Sequence, residues 1–434
     1  MKLVVIGGGS SYTPELIEGV IDHHRSLPIT EVVLSDIELG SEKLRINTEF
    51  SRRMIEKAGL SISVESTLDR KEALPGADFI ITQIRVGGLD ARERDERIPL
   101  KYGMIGQETT GIGGCLKALR TIPVILDICR DIEKFCPDAW LINFTNPSGI
   151  VTEAVLKYTK VKCIGLCNCS INMKYDAASR LGADPMELDC RFIGLNHLSV
   201  MNHAYLSGQD RIGDVLEVFN SESIVKNIEK DQEMDKIAKE LGCMLSPYLQ
   251  YFYLEKKMLR EESLMALGLE GTRADQVKAV ERELFIKYSD PDLKEKPEAL
   301  AKRGGARYSQ AAINLIDSIY NDRGDVQVVD VVNHGLIPQL PEDSVIETNC
   351  VIGKNGAMPL DAEVPRSVLG LICQVKAYEI YTIESAVSGD RNKAFLAFLN
   401  HPLVHDAQDA REALSEMLEA NKEFLPAFFP QEIA

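Results

Sequence analysis

The feature that most constrains this chain lies at its start. Lys2 to Gly8 is a short apolar run ending in glycines, and a helix signal follows at once. Thr13-Pro14-Glu15 reads as N-cap, first helical residue and acidic first turn. Leu16, Ile17, Val20 and Ile21 then recur on one helical face. The same strand-length pattern returns at Glu31 to Asp36, Ala77 to Ile84 and Trp140 to Asn146, separated by helical stretches at Glu42 to Lys57 and Cys115 to Phe135. Strands alternating with helices predict an α/β fold with a parallel, doubly wound sheet. Val161 to Cys167 reads as a sixth strand, after which the pattern changes to a longer strand region around Phe192 to Leu206 and then mostly helix. Ile224 to Ser289 reads as charged helix, Val326 to Val332 and Val345 to Ile352 as strands, and Val364 to Glu419 as helix again. The change of pattern places a domain boundary near residue 165, giving a Rossmann domain over 1–165 and a second α/β domain over 166–434.

At 434 residues the chain is long enough for two such domains and a large buried core. Its 49 basic and 66 acidic residues give a net charge of −17, which disfavours nucleic acid and anionic membrane as partners. A phosphorylated ligand therefore requires a local basic pocket. The ten cysteines lack the spacing of a disulfide framework or of paired zinc knuckles, and read as reduced thiols of a cytoplasmic protein. No apolar run reaches the ~18 residues of a membrane span, and a strand starting at Lys2 leaves no room for a signal peptide.

Five features carry chemistry. Gly7-Gly8-Gly9-Ser10-Ser11 joins the first strand to a helix N-terminus, where small residues let a backbone approach a pyrophosphate. It keeps two glycines of G-x-G-x-x-G and has Tyr12 at the third position, so a mere tight turn stays open. Asp36 ends the second strand, where an acid can accept from the adenosine ribose hydroxyls and disfavour a 2′-phosphate, or simply cap the next turn. Asn146-Pro147 closes the fifth strand, at the edge where such sheets bind ligands, and is also a common turn dipeptide. Cys167 and His197 each stand near a strand end; together they can hold a divalent metal with open positions, or each can be an ordinary buried residue. Arg303-Gly304-Gly305-Ala306-Arg307-Tyr308-Ser309 precedes a helical run and sets a phenol beside cations, which suits either a base or a capping loop. The charges from Arg92 to Arg97 read as a solvated helical face.

The order of these segments, with Arg85-Val86-Gly87-Gly88, Ile98 to Gly103, Gly106-Gln107-Glu108-Thr109 and Gly194-Leu195-Asn196-His197, resembles family four of the glycoside hydrolases, nearest its 6-phospho-β-glucosidase branch. The resemblance runs along nearly the whole chain. It implies a Rossmann domain followed by an α/β domain like that of lactate and malate dehydrogenases, assembled as a homodimer or homotetramer. It implies bound NAD, with Gly7, Gly9, Ser10, Ser11 and Asp36 as cofactor contacts, and Mn²⁺ or another divalent metal on Cys167 and His197. Tyr308 is the implied base, Glu108 the group that raises its basicity, and Arg92, Asn146 and Asn168 the implied contacts to a phosphorylated disaccharide or aryl glucoside. Asn168 stands where the α-glucoside branch carries an aspartate acid, which argues for β-linked substrates. The implied route is oxidation at sugar carbon 3, elimination, water addition and re-reduction, an exception to two-carboxylate glycosidases. The rival from another class is an NAD-dependent 2-hydroxy-acid dehydrogenase, which would use His197 as acid-base.

Overall fold

The computed structural model describes residues 1–219, 231–269, 271–303 and 308–430, with Lys302 and Tyr308 to Gln310 as backbone only. The parallel half contains β1 (Lys2–Ile6), β2 (Glu31–Ser35), β3 (Ser63–Thr67), β4 (Phe79–Thr82), β5 (Trp140–Asn143) and β6 (Lys162–Gly165). They lie in the order β6-β5-β4-β1-β2-β3, the arrangement of a dinucleotide-binding sheet. The period of two along β1 explains its burial on both faces. Leu3 and Val5 join one apolar cluster with Leu16, Ile17 and Val20 of the helix Thr13–Asp22. Val4 and Ile6 join another with Ile125, Ile128 and Ile132 of the helix Gly111–Phe135.

The remaining strands are β7 (Leu188–Leu195), β8 (Leu198–Leu206), β9 (Gln209–Asp210), β10 (Met244–Leu245), β11 (Asp325–Val332), β12 (Val345–Gly353) and β13 (Gly356–Pro359). They extend the same sheet in the order β10-β8-β7-β12-β11-β6, all antiparallel, and β11 meets β6 where Asp330 pairs with Gly165. A third core cluster fills this half, with Phe192 and Val200 packed beside Ile372 and Tyr378 of the helix Arg366–Ser388. No described helix is long and apolar enough to cross a membrane.

Three sequence expectations are altered. The region around Phe192 to Leu206 is two antiparallel strands, and the turn between them is Asn196-His197, with His197 at a φ of 65°. Thr13 begins its helix but does not cap it, because its hydroxyl donates to the Gly8 carbonyl at 2.9 Å. The charged run on the helix Gly88–Lys101 is no solvated face: Arg92, Asp95 and Glu96 are buried. Asp95 takes a bidentate ion pair from Arg120 at 2.6 and 2.8 Å, and Arg92 reaches Glu96 at 2.6 Å. Pairing of this quality offsets the cost of taking charges out of water, which is why a run that looks solvent-facing can lie inside.

Candidate active site

In-register pairing sets Ser35, Ile6, Thr82, Asn143 and Gly165 level with one another, so the loops that follow them open on a single sheet edge. A cleft of about 1430 Å³ runs along that edge from Asp36 to His197. At one end the glycine loop is folded tightly. Gly7 adopts a φ of 93°, and a Cβ there would lie 2.9 Å from the Gln83 carbonyl oxygen. The amides of Gly9 and Ile37 donate to the two carboxylate oxygens of Asp36 at 2.7 and 2.8 Å. Burial pushes the Asp36 carboxyl above its ordinary range against the pull of those amides. Gly7, Gly9, Ser10 and Asp36 line the cleft. Ser11 is fully buried behind them, its carbonyl accepting from the Tyr288 hydroxyl at 3.0 Å.

At the other end Cys167, just past β6, and His197, on the β7–β8 turn, line the same wall. The Cys167 sulfur accepts from the Cys169 amide at 3.4 Å. His197 Nδ1 meets the Thr109 hydroxyl at 3.1 Å, and its ring stacks on Tyr248 at 3.8 Å between centroids. Burial draws His197 down to about 3, which keeps the imidazole neutral, and pushes the Cys167 thiol well up. A neutral imidazole and a sulfur that becomes a thiolate beside a cation suit a divalent metal. Among the described residues no cage of three or more His, Cys, Asp or Glu side chains is present, so this pair would leave coordination positions for substrate. Asn146, after β5, and Asn168, beside Cys167 in the chain, line the same cleft. Asn146 Nδ2 donates to the Phe144 carbonyl at 3.4 Å, whereas its buried Oδ1 has no hydrogen-bond partner among the described residues. An orphaned buried acceptor on a cleft wall is satisfied when a ligand brings a donor.

Glu108 lines the cleft with Arg85 against its carboxylate, Arg92 at 3.0 Å and Lys117 at 2.8 Å. Burial pushes the Glu108 carboxyl up, but the three cations outweigh it and hold it well below the usual carboxylate range. Burial and the neighbouring arginines pull Lys117 down to about 7. Arg273 and Arg303 line the same cleft, so the basic pocket that an acidic protein would need is present.

Tyr308 opens the helix Tyr308–Tyr320 as the sequence suggests; its side chain, and residues 304–307 of its motif, lie outside the described residues. Sequence reasoning missed Tyr248, Lys117 and Arg273. Tyr248 hides in Tyr248-Leu249-Gln250-Tyr251-Phe252-Tyr253, which reads as core packing. The one local signal is Ser246-Pro247 just before it, starting a new turn after the short β10.

The family 4 glycosyl hydrolase profile matches residues 2–183, and the profile of that family's C-terminal domain matches residues 192–404. The chain belongs to family 4 of the glycosyl hydrolases. Within the family it is 49% identical to a probable 6-phospho-β-glucosidase of Bacillus subtilis (strain 168), covering 99% of this chain and 98% of that one. It is 43% identical to a 6-phospho-β-glucosidase of Escherichia coli (strain K12), covering 99% and 97%. Identity falls to 28% with a phospho-α-glucosidase of Clostridium acetobutylicum, over 97% of this chain and 98% of that one. The crystal structure of the Thermotoga maritima 6-phospho-β-glucosidase with manganese, NAD⁺ and glucose 6-phosphate superposes with a TM-score of 0.87 at 37% identity, over 98% of this chain and 99% of that one. A malate dehydrogenase of Plasmodium falciparum superposes with a TM-score of 0.51 at 13% identity, over 95% of this chain and 99% of that one. The dehydrogenase-like plan expected from the sequence is thus the fold of this family 4 enzyme.

Proposed function

We propose that this chain hydrolyses 6-phospho-β-glucosides, of cellobiose 6-phosphate or aryl type, to glucose 6-phosphate and an aglycone, with NAD and Mn²⁺ as resident cofactors. The observation that carries this reading is the single cleft that joins the glycine loop, the Cys167–His197 pair and a cation-rich cluster. Its greater likeness to β- than to α-glucosidases agrees with Asn168 in place of an acid. The division of labour falls near residue 165, with the parallel strands serving the dinucleotide and the antiparallel half completing the metal and sugar site. Exposed Leu264, Leu267, Leu269 and Ile286 supply apolar surface for the homodimer or homotetramer that goes with this reading. A phosphorylated substrate and ten free cysteines support a cytoplasmic location for the enzyme.

When bound, NAD supplies hydride exchange with sugar carbon 3, and Mn²⁺ supplies stabilisation of negative charge on the substrate oxygens. The chain does the rest. Gly7, Gly9 and Ser10 let the dinucleotide approach the sheet edge, with Asp36 and the buried Ser11 shaping the loop from behind. Cys167 and His197 hold the metal; Asn146 offers its unpaired oxygen to a donor on the ligand; Arg92 and Asn168 contact the sugar. The base removes the carbon-2 proton. Tyr308 is the residue suggested by the motif at the helix start, but the ring contact with His197 favours Tyr248, because it puts a phenol against a metal ligand. Glu108, fixed as an anion near His197, raises the basicity of that base.

Hydrolysis in deuterated water of p-nitrophenyl β-glucoside 6-phosphate, with NAD, Mn²⁺ and reductant, tests the reading. Deuterium should appear at carbon 2 of the released glucose 6-phosphate with no accumulation of NADH. Tyr248→Phe should lower both exchange and turnover by roughly 10²–10⁴, the worth of a general base, while Tyr308→Phe keeps most of both. The reverse ranking returns the role to Tyr308. Full retention of the carbon-2 hydrogen, or NADH formed in step with product, sinks the mechanism and favours a dehydrogenase.

A further inference from the structure

Beside the turn that carries His197, β12 places a buried carboxylate to which the reaction above gives no role. Glu347 lies opposite Gly194 in the β7–β12 ladder and is 2% exposed. Its Oε2 accepts from Asn196 Nδ2 at 3.0 Å and its Oε1 from the Ser199 hydroxyl at 2.5 Å. The residues between those two partners are His197 and Leu198, so one carboxylate grips both arms of the turn. That turn needs gripping, because His197 sits at a φ of 65°, a left-handed conformation that costs a side-chain-bearing residue roughly 1–3 kcal/mol. Asn196 is also backed against the helix Ser148–Tyr158, where a Cβ on Gly149 would come within 3.1 Å of the Asn196 Cβ.

We infer that Glu347 is the positioning residue for the metal site, clasping Asn196 and Ser199 so that the His197 ring is held on the cleft wall. This rests on the reading of Cys167 and His197 as metal ligands. The ring is fixed in front by Tyr248 and by Thr109 on Nδ1, which leaves Nε2 as the nitrogen to offer a metal. The clasp fixes the backbone from which that ring projects. A ligand held in place before the metal arrives binds it more tightly than one that must be ordered on binding.

Mn²⁺ titration of the reduced full-length enzyme, followed by electron paramagnetic resonance, reads this out without turnover. Glu347→Ala, which removes both grips, should weaken Mn²⁺ binding about 10- to 100-fold, the usual penalty for losing a group that orients a ligand. NAD affinity, measured in the same variant, should stay at the wild-type value. Glu347→Gln can still accept from Asn196 and donate to Ser199, and should bind Mn²⁺ close to wild type. A folded Glu347→Ala enzyme with wild-type Mn²⁺ affinity overturns the inference, and so does a Glu347→Gln enzyme as weak as the alanine variant. If Glu347→Ala does not fold, the double variant Asn196→Ala, Ser199→Ala carries the same expectation. Wild-type Mn²⁺ binding by Cys167→Ser and His197→Ala would instead remove the metal reading itself, and the clasp with it.

Discussion

Among the described residues two buried lysines meet carboxylates, and their surroundings are balanced in opposite directions. Lys376 lies in the core between Glu153, at 2.8 Å, and Glu379, and also donates to the Val345 carbonyl at 2.8 Å. Burial alone would pull it down, but two carboxylates around one ammonium outweigh burial and hold it above its ordinary value. Lys117 shares one carboxylate, Glu108, with Arg85 and Arg92, and is drawn down to about 7. The first cluster is sealed between helices and strands, whereas the second opens on the cleft. A closed cluster with surplus negative charge serves the fold. A cleft-facing cluster in which three cations gather round Glu108 has the charge to receive an anionic ligand.

The two lysines should therefore fail in different assays. Lys376→Met leaves Glu153 and Glu379 without their cation and should cost about 3–5 kcal/mol of unfolding free energy, measured by urea denaturation, with glucose 6-phosphate affinity unchanged in the folded fraction. Lys117→Met leaves Glu108 with two arginines, so stability should change little. Glucose 6-phosphate binding, followed by calorimetry, should weaken about tenfold to a hundredfold, or ~1.4–2.8 kcal/mol. If Lys117→Met unfolds the protein and Lys376→Met weakens only the ligand, the contrast is inverted.

A buried acid with a different environment sharpens the comparison further. Glu262 accepts from the Gly106 amide at 2.8 Å, directly behind the loop that carries Glu108, and burial beside Glu96 pushes it to about 7. Its folded value lies above the ordinary 4.5, so its contribution to stability is complete below that pH and is lost as pH rises through 7. Glu262→Gln keeps an acceptor for Gly106 and escapes that loss. Its stability relative to wild type should rise by roughly 2–3 kcal/mol between pH 5 and pH 8, measured by thermal unfolding at each pH. A difference that is flat with pH would mean that Glu262 stays ionised throughout.

The parallel half was legible because its signals are local: β1 with its glycine turn, Asp36 after β2 and Asn146 after β5 are each contained within a few residues. The proposed metal pair could be read from local sequence only as one of two alternatives, since Cys167 and His197 follow different strands and reach the same cleft through tertiary packing. Burial of Arg92, Asp95 and Glu96 was hidden because their partners are remote: Arg120 is on another helix, and Glu96 also accepts from the Ala274 amide at 2.7 Å. Tyr248 was hidden for the opposite reason. The leucine and aromatics that follow it make it look like core, and its place on the cleft wall and the stacked imidazole of His197 distinguish it from Tyr251.

The sheet edge also works as a ruler. Asp36, Gly7, Arg85, Asn146 and Cys167 follow β2, β1, β4, β5 and β6, which are consecutive neighbours in the sheet. Hydrogen bonding spaces strands about 4.8 Å apart, so the four steps from β2 to β6 measure about 19 Å. The graduations are peptide bonds in register and cannot drift with side-chain motion. On the proposed reading, a dinucleotide with its ribose at Asp36 would be gauged from that end, and its reach toward Cys167 would be set by a count of strands.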